Sequence, residues 1–167
     1  MELSAWPPEE DKRCVFCNML AATKWAVSSG MSPEEADRAA LILDRGPSCF
    51  VCLNRYPYST GHVMVVPYMH LASLAGLPDG VAEELIRLAQ RMETVLRDVY
   101  RPNGLNMGIN LGEAAGAGIA EHLHLHVLPR WAGDTNFMTV TGNTRVMPEA
   151  LGVTWDRLRI PLTKVHG

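Results

Sequence analysis

Three histidines alternate with aliphatic residues in Glu121-His122-Leu123-His124-Leu125-His126-Val127-Leu128-Pro129-Arg130. Side chains of an extended chain point alternately to two faces. His122, His124 and His126 would therefore share one face of a strand, about 6.5–7 Å apart along it. Leu123, Leu125 and Val127 would share the other, which suits a hydrophobic core. On a helix the three would fan out at about 200° steps and form no single site. Three imidazoles side by side are costly to bury without partners. Two chemistries suit them. Imidazoles two apart on a strand can bind one zinc ion. Alternatively, one imidazole attacks phosphorus while its neighbours orient it. The run alone leaves both open.

Other reactive groups surround this stretch in the sequence. Cys14-Val15-Phe16-Cys17 has zinc-knuckle spacing, a weak signal by itself. Cys49 and Cys52 repeat that spacing inside a strand-like run, where residues three apart face opposite sides. They read as small core residues, not as half of a four-cysteine site. His62 sits in Gly61-His62-Val63-Met64-Val65-Val66-Pro67, and His70 follows at Tyr68-Met69-His70.

The elements that must carry these groups are legible as patterns. Leu41–Asp44, Cys49–Leu53, His62–Pro67, Gly104–Leu111 and the histidine run read as strands. Leu85, Leu88, Ala89, Met92, Val95 and Leu96 recur at helical steps and predict a long helix over 80–100, with Glu83, Glu84, Arg87, Arg91, Glu93 and Arg97 mostly on its other side. A short helix is expected around Asn18–Ala22. Ser32-Pro33-Glu34-Glu35 signals a second, with serine at the N-cap, proline at N1 and a capping-box glutamate. Gly112–Gly118 reads as a small-residue loop, Thr135–Val146 as two short β-like runs about Gly142-Asn143, and Pro148–Leu158 as a weak helix interrupted by Gly152. The pattern is α+β with a mostly antiparallel sheet. It divides into an N-terminal arm at 1–13, one domain at 14–150 and a C-terminal tail at 151–167.

With 167 residues, the chain has room for one domain and a real core. A net charge of −3 argues against a nucleic-acid polymer as partner, while leaving room for a small anionic substrate. No apolar run is long enough for a membrane span. The start, Met1-Glu2-Leu3-Ser4-Ala5-Trp6, lacks the basic and apolar regions of a signal peptide, so a cytoplasmic location is expected. Cysteines there are thiols or metal ligands before they are disulfides.

His-Leu-His-Leu-His-Val-Leu resembles the signature of the histidine triad (HIT) family. Pro129-Arg130-Trp131-Ala132-Gly133-Asp134 is similar to the fragile-histidine-triad branch of dinucleoside polyphosphate hydrolases. Leu53-Asn54-Arg55-Tyr56-Pro57 and the Gly61-His62 strand resemble that branch in the same order. Asn110-Leu111-Gly112 through His124 looks most like a bacterial group that includes diadenosine tetraphosphate phosphorylases. The resemblance covers about residues 12–150. It implies the HIT fold, a five-stranded antiparallel sheet with a long helix, and a homodimer in which two such sheets associate.

It also implies roles. His124 is the expected nucleophile, attacking the α-phosphorus of a nucleotide to give a nucleotidyl-histidine that water or inorganic phosphate then resolves. His126 is expected to donate to the phosphate or leaving oxygen, with His122 and His62 in the same network. Asn54 corresponds to a ribose ligand and Asn110 to a phosphate ligand, and backbone donors of the Gly112–Gly118 loop would face the phosphates. Phe50, Leu53 and Leu43 are candidates to sandwich the base. The hydrolase branch carries a glutamine four residues before the first triad histidine. Here that residue is Gly118, which leaves the acceptor open between water and phosphate. Members with an N-terminal CxxC bind structural zinc, so Cys14, Cys17, His70 and His122 are the implied ligands. The expected function is cleavage of dinucleoside polyphosphates or related nucleotide conjugates. Its rivals are a nucleotide-binding regulator with incidental turnover and a metalloenzyme holding zinc on the three strand histidines.

Overall fold

Alternating apolar residues in the middle of the chain build a sheet, and the helical rhythm from Leu85 to Leu96 builds the long helix that covers one face of it. The computed structural model describes residues 14–134 and 149–164. The expected N-terminal arm and the two runs about Gly142-Asn143 lie outside the described residues.

In chain order the elements are α1 (Val15–Ser28), α2 (Pro33–Ala40), β1 (Ile42–Arg45), β2 (Cys49–Leu53), β3 (Val63–Pro67), α3 (Asp79–Tyr100), β4 (Gly104–Ile109), β5 (Leu125–Arg130) and α4 (Leu151–Lys164). The five strands form one sheet in the order β1-β2-β3-β5-β4, antiparallel throughout. This is the expected α+β architecture.

Strand parity sorts the core into two layers. Val51, Leu53, Val63, Val65, Leu125 and Val127 pack under α3 and α4. On the opposite face Phe50, Cys52, Met64 and Val66 pack with Ile42 and with Phe16 of α1. Cys49 belongs to the first layer and Cys52 to the second, so the two thiols cannot meet on one metal. Burial pushes both thiols up to about 12.

Three local details depart from the sequence pattern. The short helix expected at Asn18–Ala22 runs from Val15 to Ser28. Leu41 caps α2 in a left-handed conformation (φ 64°), so β1 begins one residue later than expected. Glu84 and Arg91, expected on the solvent side of α3, turn inward. The Glu84 carboxylate accepts from the backbone N–H groups of Ser48 (2.9 Å) and Cys49 (3.2 Å), closing the β1–β2 turn. Arg91 pairs with Asp44 of β1 at 2.8 Å and donates to the carbonyl of Leu162.

The C-terminal segment is a full part of the core. Trp155, Leu158 and Leu162 of α4 are buried against the α3 layer. Trp155 Nε1–H donates to the Ile42 carbonyl (2.8 Å), and Arg159 donates to that of Leu43 (2.8 Å). Two carbonyls of the edge strand β1 thereby gain partners. Pro161 lies inside α4. Burial of its apolar side outweighs the local cost of proline and of Gly152. No helix among the described residues is long and apolar enough to cross a membrane.

Candidate active site

The register places one row of residues across the sheet. Gly108 pairs with His126, His126 with Met64, Met64 with Cys52, and Cys52 with Ile42. Directly paired residues share a face, so His126 lies on the α1 side. His124, two residues earlier, follows the same parity, and the two imidazole centroids are 4.7 Å apart. Strand pairing begins only at Leu125. Ahead of it the chain leaves the sheet, and Leu123 N–H donates to the Leu71 carbonyl (2.7 Å) instead of to a neighbouring strand. His122 thereby reaches the Pro67 end of β3 and the start of α1.

Hydrogen bonds to groups of fixed polarity settle where each ring proton sits. The carbonyl of His122 lies 2.8 Å from His124 Nδ1. A carbonyl only accepts, so His124 carries its proton on Nδ1 and keeps a lone pair on Nε2. Next to it, Tyr58 N–H donates to His62 Nδ1 (3.2 Å), which puts the His62 proton on Nε2. His62 Nε2–H then donates to His126 Nδ1 (2.9 Å), leaving His126 with its proton on Nε2. The neighbouring imidazoles therefore hold opposite tautomers: His124 has a bare Nε2, and His126 has a donor there. Further along, His122 Nε2–H donates to the Pro67 carbonyl (2.9 Å), so its Nδ1 is the free nitrogen, 3.2 Å from Cys14 Sγ.

Burial keeps this set uncharged. It pushes His62 down to about 3, with the nearby rings of His126 and His124 adding to the effect. It pushes His126 down to about 4, His124 adding again. His124 is lowered by burial, against the pull of its bond to the His122 carbonyl. Desolvation disfavours the charged ring in each case. His124 is 5% exposed and packs against Phe16, whose ring centroid is 5.2 Å from it and 5.3 Å from His122.

The second cluster joins the start of α1 to the segments that follow β3 and precede β5. Cys14 is the N-cap residue of α1, and Cys17 lies in its first turn. Cys17 Sγ is 3.3 Å from His70 Nδ1. One donor atom from each of Cys14, Cys17, His70 and His122 lies within 4.8 Å of all the others. Two thiols and two imidazole nitrogens at that separation can hold a tetrahedral metal ion. Of the strand histidines, only His122 belongs to this group. The reading of a metal held by all three finds no support among the described residues.

The other expected residues divide. Asn54 stands at the end of β2 beside His62, its Nδ2 3.4 Å from His62 Nδ1 and its Oδ1 accepting from Tyr56 N–H (2.9 Å). Asn110 Nδ2 donates to the Gly116 carbonyl (3.4 Å) and so spans the loop that leads to His122. Gly112 and Gly116 of that loop adopt positive φ (81° and 84°), which favours glycine. At Gly118 an added Cβ would meet nothing within 4 Å. Phe50 shares the histidine face. Leu53 and Leu43 do not: both are buried in the α3 layer, on the opposite side of the sheet, and cannot sandwich a base beside the histidines. Residues that share the face and were not expected include Phe16, Cys52 and Met64. Counting parity back from His126 through the strand pairings would have found the last two. Tyr58 was also missed, since its main-chain contact with His62 leaves no mark in composition.

A profile of the HIT domain matches residues 35–133. The AP-4-A phosphorylase of Mycobacterium tuberculosis is 45% identical over 119 residues, which cover 71% of this chain. The chain spans 61% of the length of that relative. Among solved structures, a zinc-bound histidine triad family protein from Mycobacterium smegmatis is similar with a TM-score of 0.65 and 27% identity, covering 92% of this chain and 95% of that one. The NitFhit protein of Caenorhabditis elegans is similar with a TM-score of 0.59 and 25% identity, covering 71% of this chain and 26% of that one. With its paired histidines, its five-stranded sheet and a domain profile spanning most of both, this chain belongs to the HIT family.

Proposed function

We propose that the protein is a nucleotidyl transferase or hydrolase that cleaves dinucleoside polyphosphates, such as diadenosine tetra- or triphosphate, or related nucleotide conjugates. The observation that carries this reading is the pair of opposite tautomers on adjacent imidazoles, a bare Nε2 on His124 beside a donor Nε2–H on His126. His124 Nε2 attacks the α-phosphorus, a P–N bond forms and the P–O bond to the polyphosphate breaks. The polyphosphate departs as a stable anion, so His126 need only hydrogen-bond the departing or non-bridging oxygen. Positive charge then develops on the His124 ring, and the His122 carbonyl is already placed to accept its Nδ1–H. Water or inorganic phosphate attacks the same phosphorus, and the P–N bond breaks. Positioning and charge stabilisation supply most of the acceleration.

Asn54 is assigned to the ribose, and Asn110 with the Gly112–Gly118 loop to the phosphates. Phe16, Cys52, Met64 and Phe50 form the buried apolar layer that underlies the histidines on this face. Phosphate is favoured as acceptor on two grounds. A 45% identical relative bears the name AP-4-A phosphorylase, and Gly118 supplies no side-chain amide to the site. Cys14, Cys17, His70 and His122 would hold a zinc ion, with all four coordination positions filled by protein. That role is structural: it ties α1 to the segment whose main chain orients His124. A homodimer is assigned by family likeness and supported by β4, which among the described residues pairs on one side only and carries Met107 44% exposed.

The test is product analysis with diadenosine tetraphosphate, with and without inorganic phosphate, using His124→Ala as control. ADP formed only with phosphate identifies a phosphorylase. AMP and ATP formed without it identify a hydrolase. Turnover by His124→Ala equal to that of the unaltered protein would overturn the mechanism.

A further inference from the structure

The loop from Asn54 to Gly61, joining β2 to β3, presents two tyrosines to solvent, Tyr56 at 81% and Tyr58 at 61% exposure. The loop is a built one. Tyr56 N–H is taken by Asn54 Oδ1 (2.9 Å), Ser59 Oγ donates to the Pro129 carbonyl (2.9 Å), and Thr60 Oγ1 accepts from Glu149 N–H (3.1 Å). Gly61 turns the chain at φ 78°, where a Cβ would stand 3.0 Å from the Tyr100 ring. Inside this frame the Tyr58 N–H is spent on His62 Nδ1. Its ring lies 5.0 Å from the His62 ring at 37° and 6.3 Å from that of His126 at 33°. Tyr58 thus ends a file of rings running His124, His126, His62, Tyr58, and it is the one member of that file that is mostly exposed.

We propose that Tyr58 is a substrate-binding residue whose exposed ring stacks on the base of the departing nucleoside, the half of a two-nucleoside substrate that lies beyond His126. This rests on the assignment of His124 as nucleophile and His126 as donor to the departing side. The half under attack is the one whose ribose is assigned to Asn54. The other half leaves past His126, and an aromatic face is the first large surface beside that ring on the His62 side. A purine stacks on such a face without any particular hydrogen-bond pattern. The site would thereby favour substrates with a base at each end over mononucleoside polyphosphates of equal phosphate length.

Binding is measured by titration calorimetry with two probes, diadenosine tetraphosphate and adenosine 5′-tetraphosphate, on His124→Ala protein, which lacks the nucleophile, with Tyr58 intact and in the Tyr58→Ala and Tyr58→Phe forms. Tyr58→Ala should weaken diadenosine tetraphosphate about tenfold and leave adenosine tetraphosphate within about twofold. Tyr58→Phe should retain both affinities. Equal weakening of both probes by Tyr58→Ala, or a loss in Tyr58→Phe as large as in Tyr58→Ala, overturns the inference, because the residue would then support His62 or act through its hydroxyl. The readout is affinity, so it stands apart from the chemistry. Discrimination of the two probes through Tyr58, together with no turnover of either by the protein with His124 present, would sink the nucleotidyl-transfer reading and leave the stacking intact.

Discussion

Replacing His62 by phenylalanine isolates the contribution of one tautomer. The substitution keeps an aromatic ring in a buried position and removes both ring nitrogens. His126 Nδ1 loses the donor at 2.9 Å that holds its proton on Nε2, and Tyr58 N–H loses its acceptor at 3.2 Å. A buried acceptor left unpaired costs about 1–3 kcal/mol. His126 can avoid that cost by moving its proton to Nδ1, which takes the donor away from the substrate. In that form His126 offers the transition state no Nε2 donor, so kcat should fall about five- to a hundredfold, with a smaller effect on KM. The tautomers can be read directly by long-range proton–nitrogen NMR. In the unaltered protein, His124 should appear protonated at Nδ1 and His126 at Nε2, and in the variant only His126 should change. A variant with kcat within about twofold of the unaltered protein, or an unchanged His126 spectrum, would show that His62 does not set the neighbouring ring, and the derivation of the site from hydrogen-bond polarity would fail.

Further expectations concern metal, pH and packing. The purified protein should carry close to one equivalent of zinc per chain by elemental analysis, and His70→Ala should reduce it severalfold, because His70 is one of four donors within 4.8 Å; undiminished zinc in that variant would rule out the histidine ligands. His62 and His126 titrate near 3 and 4 in the fold, against 6.5 in an unfolded chain. Between pH 6.5 and about 4 the unfolded state therefore binds more protons, and stability, fully present above pH 6.5, is lost as the pH falls. The slope should reach up to about 1.4 kcal/mol per pH unit for each histidine; urea midpoints that do not move between pH 7 and pH 5 would contradict it. Trp155→Ala removes a buried indole and its bond to the Ile42 carbonyl. It should destabilise the protein by about 3–5 kcal/mol in denaturant titration, whereas a loss below about 1 kcal/mol would mean that α4 is not part of the cooperative core.

The chemistry of the site was legible in the sequence because it is local. Alternation put His124 and His126 on one face, and the four donors that cluster beside them are the ones that the resemblance to the HIT family implies. What was not legible was parity between distant strands. Leu53 and Leu43 sit near Asn54 and β2 in sequence, yet the bulge in β1 and the register of β2 on β3 turn both toward α3. Phe16 lies between the two cysteines, and nothing in that position announces a ring packed between His122 and His124. The inward turn of Glu84 and Arg91 was hidden for a similar reason, since their partners, the backbone at Ser48 and Cys49 and the side chain of Asp44, lie far away in the chain. Alternation also overran the strand at its start, where the main chain of Leu123 bonds to Leu71. In the last helix, Gly152 and Pro161 argued for weakness, and the burial of Trp155, Leu158 and Leu162 decided otherwise.

The two margins of the sheet are unequal. At one, indole and guanidinium groups of α4 already occupy main-chain acceptors of β1; at the other, β4 has no strand on its outer side among the described residues. A sheet with a single free margin can be extended only once: joining two copies there uses up the vacancy on both and leaves no template for a third. In the proposed homodimer the C-terminal helix would thus act as a terminator, ending strand addition at a pair instead of letting it run on into a fibre.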